Sequence, residues 1–368
     1  MATDNVYAKL AEHLSCLGMG YPFGDALLEI LRENFTPAEA EVALAIPNKV
    51  VPLDPVSVDE ILNAVSLPRD DLVRILDLLA EKGLLYSGKT EKGEKGYALH
   101  QVGFGFPQTF FWTGQDTPHA RKMATLTAKY FNRKVTREAF SPSETKAYRY
   151  IPIGRTIEPS KQAVLPLHMM DKVVEEANRI AVAHCSCRIV YRLAGKGCDH
   201  PTEVCLKFND MARYVIDRGF AREITKEEAH QIIRKSEEAG LVHFVDNAEG
   251  NIQHNCNCCG CACWNVGSIR RRKIPRDVLM ATYFIRETDE EVCTGCGACA
   301  EICPVDAVKL EGDVAIADKD WCIGCGVCST VCPVDAVKIS LRPEKTGRLP
   351  AATFRELHEM IRKEKGLA

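Results

Sequence analysis

A chain of 368 residues is long enough for two or three domains with separate cores. Its 46% hydrophobic and 26% charged residues are the ordinary mix of a water-soluble globular protein, and a net charge of −3 gives no global pull toward nucleic acid or an anionic membrane. The start, "MATDNVYAKLAEHLSCLG", lacks a basic segment followed by an apolar one, and no apolar run is long enough to span a bilayer. The expectation is a cytoplasmic protein, so the seventeen clustered cysteines of the eighteen read as metal ligands rather than disulfides, and the lone Cys16 as a small packing residue.

Residues 1–105 read as three helices followed by a hairpin. "PRDDLVRILDLLAEKGL" puts Leu72, Ile75, Leu76 and Leu79 on one helical face, with Pro68 at its start and Gly83 past its end. "LLYSGKTEKGEKGYALHQ" then looks like two strands around a charged turn. This order resembles a winged helix. The resemblance implies DNA binding, but residues 1–100 hold sixteen acidic against nine basic side chains, and the recognition-helix position carries Asp70, Asp71, Asp77 and Glu81. A phosphate-facing surface needs the opposite balance, so a protein-docking module is the better reading and a redox-sensing transcription regulator the rival. "GLLYSGKT" matches the phosphate-loop pattern by composition only, since a helix precedes it where a strand should.

Residues 106–160 show many aromatics and prolines with little periodicity and read as an ordered linker. Residues 161–280 read as a helical, cysteine-rich domain. Helical runs there are "LHMMDKVVEEANRIAVAH", "KFNDMARYVIDRG" and "TKEEAHQIIRKSEEAG", the last with a capping pair in Thr225 and Glu228. A hairpin, "LVHFVDNAEGNIQHN", leads into the densest thiol run.

Two thiol groups lie in this domain. The first is Cys185, Cys187, Cys198 and Cys205, enough for one [4Fe-4S] cluster or one zinc. The second is Cys256, Cys258, Cys259, Cys261 and Cys263, five within eight positions. Two further clusters, one cluster with zinc, or one unusual cluster drawing on both groups remain open. Cys258-Cys259-Gly260 resembles the CCG element of heterodisulfide-reductase-type subunits over three residues. His184, His200 and His254 read as polar supporting residues, with His254 the foremost ligand candidate. Arg188 is placed to neutralise cluster charge. The basic run Arg270, Arg271, Arg272, Lys273 and Arg276 is a candidate docking patch for an acidic redox partner.

Residues 293–309 and 322–338 are two copies of C-x₂-C-x₂-C-x₃-C-P at a period of 29. The repeat resembles the 2[4Fe-4S] bacterial-type ferredoxin family over about 285–342, within a domain placed at 281–342. That resemblance implies one cubane on Cys293, Cys296, Cys299 and Cys332 and another on Cys322, Cys325, Cys328 and Cys303, each fourth ligand crossing over. It also implies single-electron transfer at low potential in an anaerobic setting.

The composite expectation is an α+β multidomain protein. A winged-helix-like segment and a helical cysteine-rich domain would precede the ferredoxin module, and a C-terminal helix over 343–368 would pack on that module. Its role would be electron relay among the two clusters, further clusters or zinc, and a partner oxidoreductase or flavoprotein. A catalytic reductase subunit using an unusual cluster is the alternative. Substrate, partner identity and oligomeric state are not legible.

Overall fold

A computed structural model describes residues 2–48, 51–101, 105–140, 143–154, 169–343 and 350–367. The N-terminal part begins with helices Ala2–Ser15, Asp25–Asn34 and Pro37–Leu44. The third starts at a reciprocal cap. The Thr36 hydroxyl accepts from the Glu39 N–H, and the Glu39 carboxylate accepts from the Thr36 N–H. Strand β1 (Val56–Ser57), helix Val58–Leu62 and helix Arg69–Glu81 follow. The last buries Leu72, Leu76, Leu79 and Ala80 and leaves its acidic face outward.

Strands β2 (Leu85–Lys89) and β3 (Lys95–Leu99) close a small sheet in the order β1-β3-β2. The "SGK" of the phosphate-loop lookalike therefore lies within a hairpin strand, and another strand follows it rather than a helix.

Two expectations need correction. The segment read as a linker holds helices Pro118–Tyr130 and Arg133–Phe140 and strand β4 (Tyr148–Ile151). The region read as mostly helical is organised by a six-stranded sheet in the order β4-β8-β10-β6-β5-β7, every neighbouring pair antiparallel. Its remaining strands are β5 (Ile180–His184), β6 (Glu203–Phe208), β7 (Arg222–Ile224), β8 (Val242–Asp246) and β10 (His254–Cys258).

The reason is visible in "IAVAH" and "VCLKF". Short, nearly continuous apolar runs have the same appearance in a buried strand and a buried helix, so periodicity cannot separate them. The single helix expected from Leu167 to His184 has its first residues outside the described set. Its remainder divides into helix Met170–Glu176 and strand β5. Helices Asn209–Asp217 and Lys226–Glu238 pack on the sheet, and Thr225 caps the second by accepting from the Glu228 N–H.

The N-terminal part is fastened to this layer through the Asn209–Asp217 helix and the residue after it. The Tyr214 hydroxyl donates to the Leu85 carbonyl at 2.9 Å, and the Arg218 guanidinium donates to Asp77 at 3.1 Å. Burial would raise the Asp77 carboxyl, but hydrogen bonds from Lys95, Arg218 and Tyr97 outweigh it and hold the group below its ordinary pKa.

In the C-terminal third, β11 (Phe284–Thr288) pairs with β14 (Val337–Leu341), and β12 (Val308–Glu311) pairs with β13 (Val314–Ala317). Side chains of this module and of the six-stranded sheet belong to one continuous hydrophobic core.

The C-terminal helix Phe354–Glu364 forms as expected, capped by Thr353, but its seat differs. β15 (Ala351–Thr353) pairs with β9 (Ala248–Gly250). The Glu364 carboxylate accepts from Ser143 and Thr145, and Arg355 pairs with Asp54. The helix thus ties the sheet to the N-terminal part, because its polar ends find partners there.

Candidate metal centres

The two ferredoxin-like copies repeat in backbone as well as in sequence. Gly295, Gly297 and Asp306 have φ of +65°, +80° and +55°, and Gly324, Gly326 and Asp335 have +64°, +77° and +52°. At Gly324 a Cβ would stand 2.2 Å from the Phe284 carbonyl oxygen, so the loop can lie against β11 only without a side chain.

In each copy the cysteine before proline receives a backbone donor. The Cys303 sulfur accepts from the Ala307 N–H, and the Cys332 sulfur from the Ala336 N–H, both at 3.3 Å.

The two thiol sets differ in exposure. Cys303, Cys322, Cys325 and Cys328 are all buried and line one cavity. Of the other set Cys299 is buried, Cys293 and Cys332 are half-buried, and Cys296 is exposed.

Burial and neighbouring thiolates push Cys325 up and Cys328 up to about 12, whereas N–H groups of Gly295 and Ala315 draw Cys293 down. Buried thiols that resist ionising alone become good ligands when a metal cluster displaces their protons. Arg286 lies between the sets. It lines the inner cavity, and its Nη2 stands 3.6 Å from the Cys299 sulfur.

The nine thiols of the two other groups are sorted by the fold, not by sequence order. Six of them, Cys185, Cys187, Cys205, Cys256, Cys258 and Cys263, line one chamber. Cys185 stands at the end of β5 and the start of helix Ser186–Leu193, which also carries Cys187.

The remaining thiols of the chamber depend on strand register. Side chains two apart on a strand share a face, so His254, Cys256 and Cys258 of β10 point together, as do Cys205 and Lys207 of β6. Asn255 pairs with Leu206, which sets Cys256 beside Cys205. The loop after β10 brings the Cys263 sulfur to 3.2 Å from that of Cys258. Hydrogen bonds from Cys205 and Cys258 draw the Cys256 thiol down against the cost of burial.

Other chamber residues are Trp112, with Lys207 Nζ 4.4 Å above its ring, and His254, whose Nδ1 lies 2.9 Å from Asp246. Asp246 is fully buried. That would raise its carboxyl, but His254 and the Gln253 N–H outweigh the effect and keep it low.

The other three thiols form a separate set with a histidine. One ligand atom from each of Cys198, His200, Cys259 and Cys261 lies within 4.8 Å of all the others. His200 joins the thiols, then, whereas His254 is turned to a carboxylate. The sequence signal for His200 is its C-x-H spacing from Cys198.

Arg188 is buried behind both sets. It donates twice to the Asn257 carbonyl at 3.1 Å, and although burial would lower its pKa, the thiolates of Cys185, Cys258 and Cys259 raise it.

The chamber abuts the dicluster module. The Ile153 N–H donates to the Cys325 carbonyl at 3.1 Å. Tyr150 is buried with a hydroxyl that has no hydrogen-bond partner among the described residues, and burial, with the charges of Cys263, Cys258 and Cys325 adding to it, pushes its pKa well up.

The basic run is used in the same seam. Arg270 pairs with Asp306 at 3.0 Å, Arg271 donates to the Cys263 carbonyl, Arg272 to Thr136 and Phe131, and Arg276 to the Lys319 and Cys322 carbonyls. Those arginines are engaged within the chain, which corrects the reading of the run as a free docking patch. Lys273 ends its helix in a left-handed conformation and is exposed.

Residues 292–336 match the 4Fe-4S dicluster domain family. One component of the ion-translocating oxidoreductase complex of Methanosarcina acetivorans is 44% identical over 39 residues, which is 11% of this chain and 15% of that protein. No solved structure matches the chain. Residues 292–336 therefore form a ferredoxin-type domain whose cofactors are [4Fe-4S] clusters, and the chain is an iron–sulfur protein of electron transfer in that general sense. No helix among the described residues is long and apolar enough to cross a membrane.

Proposed function

We propose that the chain carries electrons between a partner oxidoreductase and a third iron–sulfur centre held in the thiol chamber. The dicluster domain would be the connection. Cys293, Cys296, Cys299 and Cys332 would hold the outer cluster, and Cys303, Cys322, Cys325 and Cys328 the inner one. When bound, such clusters take up and release single electrons at low potential.

The carrying observation is the seam between the two regions: the Ile153 N–H donates to the Cys325 carbonyl, and within one short segment Arg271 donates to the carbonyl of the chamber's Cys263 while Arg276 donates to that of the inner set's Cys322. A module that served only diffusing partners would gain nothing from facing a second thiol-lined cavity. The chain's own residues prepare the route. Arg286 and Arg188 place positive charge beside the two thiol-rich cavities, and the aromatic walls of the chamber exclude water. The exposed loop at Cys296 is the natural approach for a partner, with Lys273 of the basic run as a contributor at the margin.

The N-terminal part is read as a winged-helix-like protein-docking module. Its helix–strand–helix–helix–hairpin order and its sheet order β1-β3-β2 support that reading, and the acidic outer face of helix Arg69–Glu81 argues against DNA.

A second reading, a catalytic reductase, is favoured by one feature. The chamber holds Lys207 and an Asp246-backed His254, groups suited to delivering protons beside a redox centre.

The test is iron and acid-labile sulfide on anaerobically purified protein, with electron paramagnetic resonance of the reduced state, beside the double variant Cys256→Ser/Cys258→Ser. About twelve irons, falling to about eight in the variant with the dicluster signal intact, is the expected result. About eight irons in both proteins would remove the third centre from the proposal.

A further inference from the structure

We propose that Cys198, His200, Cys259 and Cys261 bind a single zinc ion, and that this ion pins the lip of the thiol chamber against the dicluster domain. The proposal stands whether or not the chamber itself holds a cluster.

Geometry selects the metal. Four ligand atoms all within 4.8 Å of one another fit a tetrahedron around one ion, since bonds of about 2.3 Å place sulfurs about 3.8 Å apart. The Cys198 and Cys259 sulfurs are 4.0 Å apart. The imidazole points the same way, because three thiolates with one imidazole form a common structural zinc set, whereas cubanes of the ferredoxin type use thiolates alone.

The surroundings are built for a ligand. His200 Nδ1 is shielded from solvent and has no hydrogen-bond partner among the described residues. The Ala262 N–H points to the Cys259 sulfur at 3.5 Å. Arg192 holds the first loop by donating to the Cys198 and His200 carbonyls, at 3.4 and 2.9 Å. Zinc with three thiolates carries one net negative charge, and the buried guanidinium of Arg188 stands beside Cys259 to offset it. Binding would release the three thiol protons to solvent and involves no change of oxidation state.

The position gives the ion its task. Gly260 lies between two of the ligands, and a Cβ there would come within 2.1 Å of the Pro304 carbonyl oxygen, immediately after Cys303. The loop from Cys259 to Cys261 therefore lies flush on the dicluster domain, and joining it to the Cys198–His200 loop keeps it there.

The experiment is zinc and iron per full-length chain after anaerobic purification, for the native protein and for His200→Ala, His200→Cys and Cys198→Ser/Cys261→Ser. Cobalt exchange of the native protein is read by visible absorption. The expectation is one zinc per chain, lost in His200→Ala and in the double variant with iron unchanged, and retained in His200→Cys. Cobalt should give the intense ligand-field bands of a tetrahedral thiolate site. Absence of zinc from the native protein, zinc retained in the double variant, or a loss of about four irons on removing Cys198 and Cys261 would each overturn the proposal. If the double variant fails to fold, the zinc count and cobalt spectrum of the native chain still decide it.

Discussion

In the dicluster domain, three ligands of each set lie within seven residues of chain, as in Cys293, Cys296 and Cys299. The thiol chamber is assembled otherwise. It takes Cys185 and Cys187 from a strand-to-helix turn, Cys205 from β6, Cys256 and Cys258 from β10 and Cys263 from a loop. A local loop carries most of its ligand geometry wherever it is placed. A sheet-built site depends on register, and a slip of one residue in β10 would turn Cys256, Cys258 and His254 to the opposite face together. The first site is legible as a motif, and the second exists only once the strands pair.

That contrast can be broken most forcefully inside the dicluster domain. Cys322→Ser/Cys325→Ser should remove about four irons and leave chamber-bound metal in place. If electrons cross the seam between the dicluster domain and the chamber, reduction of the chamber by a partner that docks at the outer set should slow at least a hundredfold, measured by stopped-flow absorbance. Unchanged reduction would mean the chamber is reached independently.

Gly260→Ala should come next. Its new Cβ meets the Pro304 carbonyl, backbone that cannot swing aside, so about 1–3 kcal/mol of destabilisation is expected from overpacking. Thermal unfolding reads it, and an unchanged midpoint would show that the two regions are not pressed together.

Asp77→Asn should cost about 1 kcal/mol, as it weakens the tie from helix Arg69–Glu81 to Arg218. The sign with pH follows from the lowered carboxyl pKa. The contribution is present above the ordinary aspartate value and is lost as pH falls through the depressed folded value. The difference in stability between the two proteins, from denaturant titrations, should therefore shrink below about pH 4.

The smallest effect belongs to Tyr150→Phe. Its hydroxyl is buried without a partner among the described residues, so removing it should be neutral or slightly stabilising, within about 1 kcal/mol. Metal content should not change, whereas Tyr150→Ala should open a cavity in the hydrophobic core and cost about 3–5 kcal/mol.

The same comparison explains which parts are readable without the fold. The cap at Thr225 and the face of helix Arg69–Glu81 follow from residues a few positions apart, and they form where expected. Strands β5 and β6 resemble helix in sequence because their apolar runs have no contrasting polar period. "HNCNC" does carry the alternation of a strand, but its thiols belong to a ligand cluster as well, and the second pattern masks the first.

The amino-acid sequence by itself determined the dicluster domain, because cluster loops are set by ligands and glycines that neighbour one another along the chain. It also determined that nine further thiols needed a common purpose. Only the tertiary structure decided how those nine divide, that His200 rather than His254 joins them, and that the basic run serves as an internal clamp. Those outcomes depend on antiparallel register and on long-range packing between residues far apart in the chain, and no local spacing encodes either.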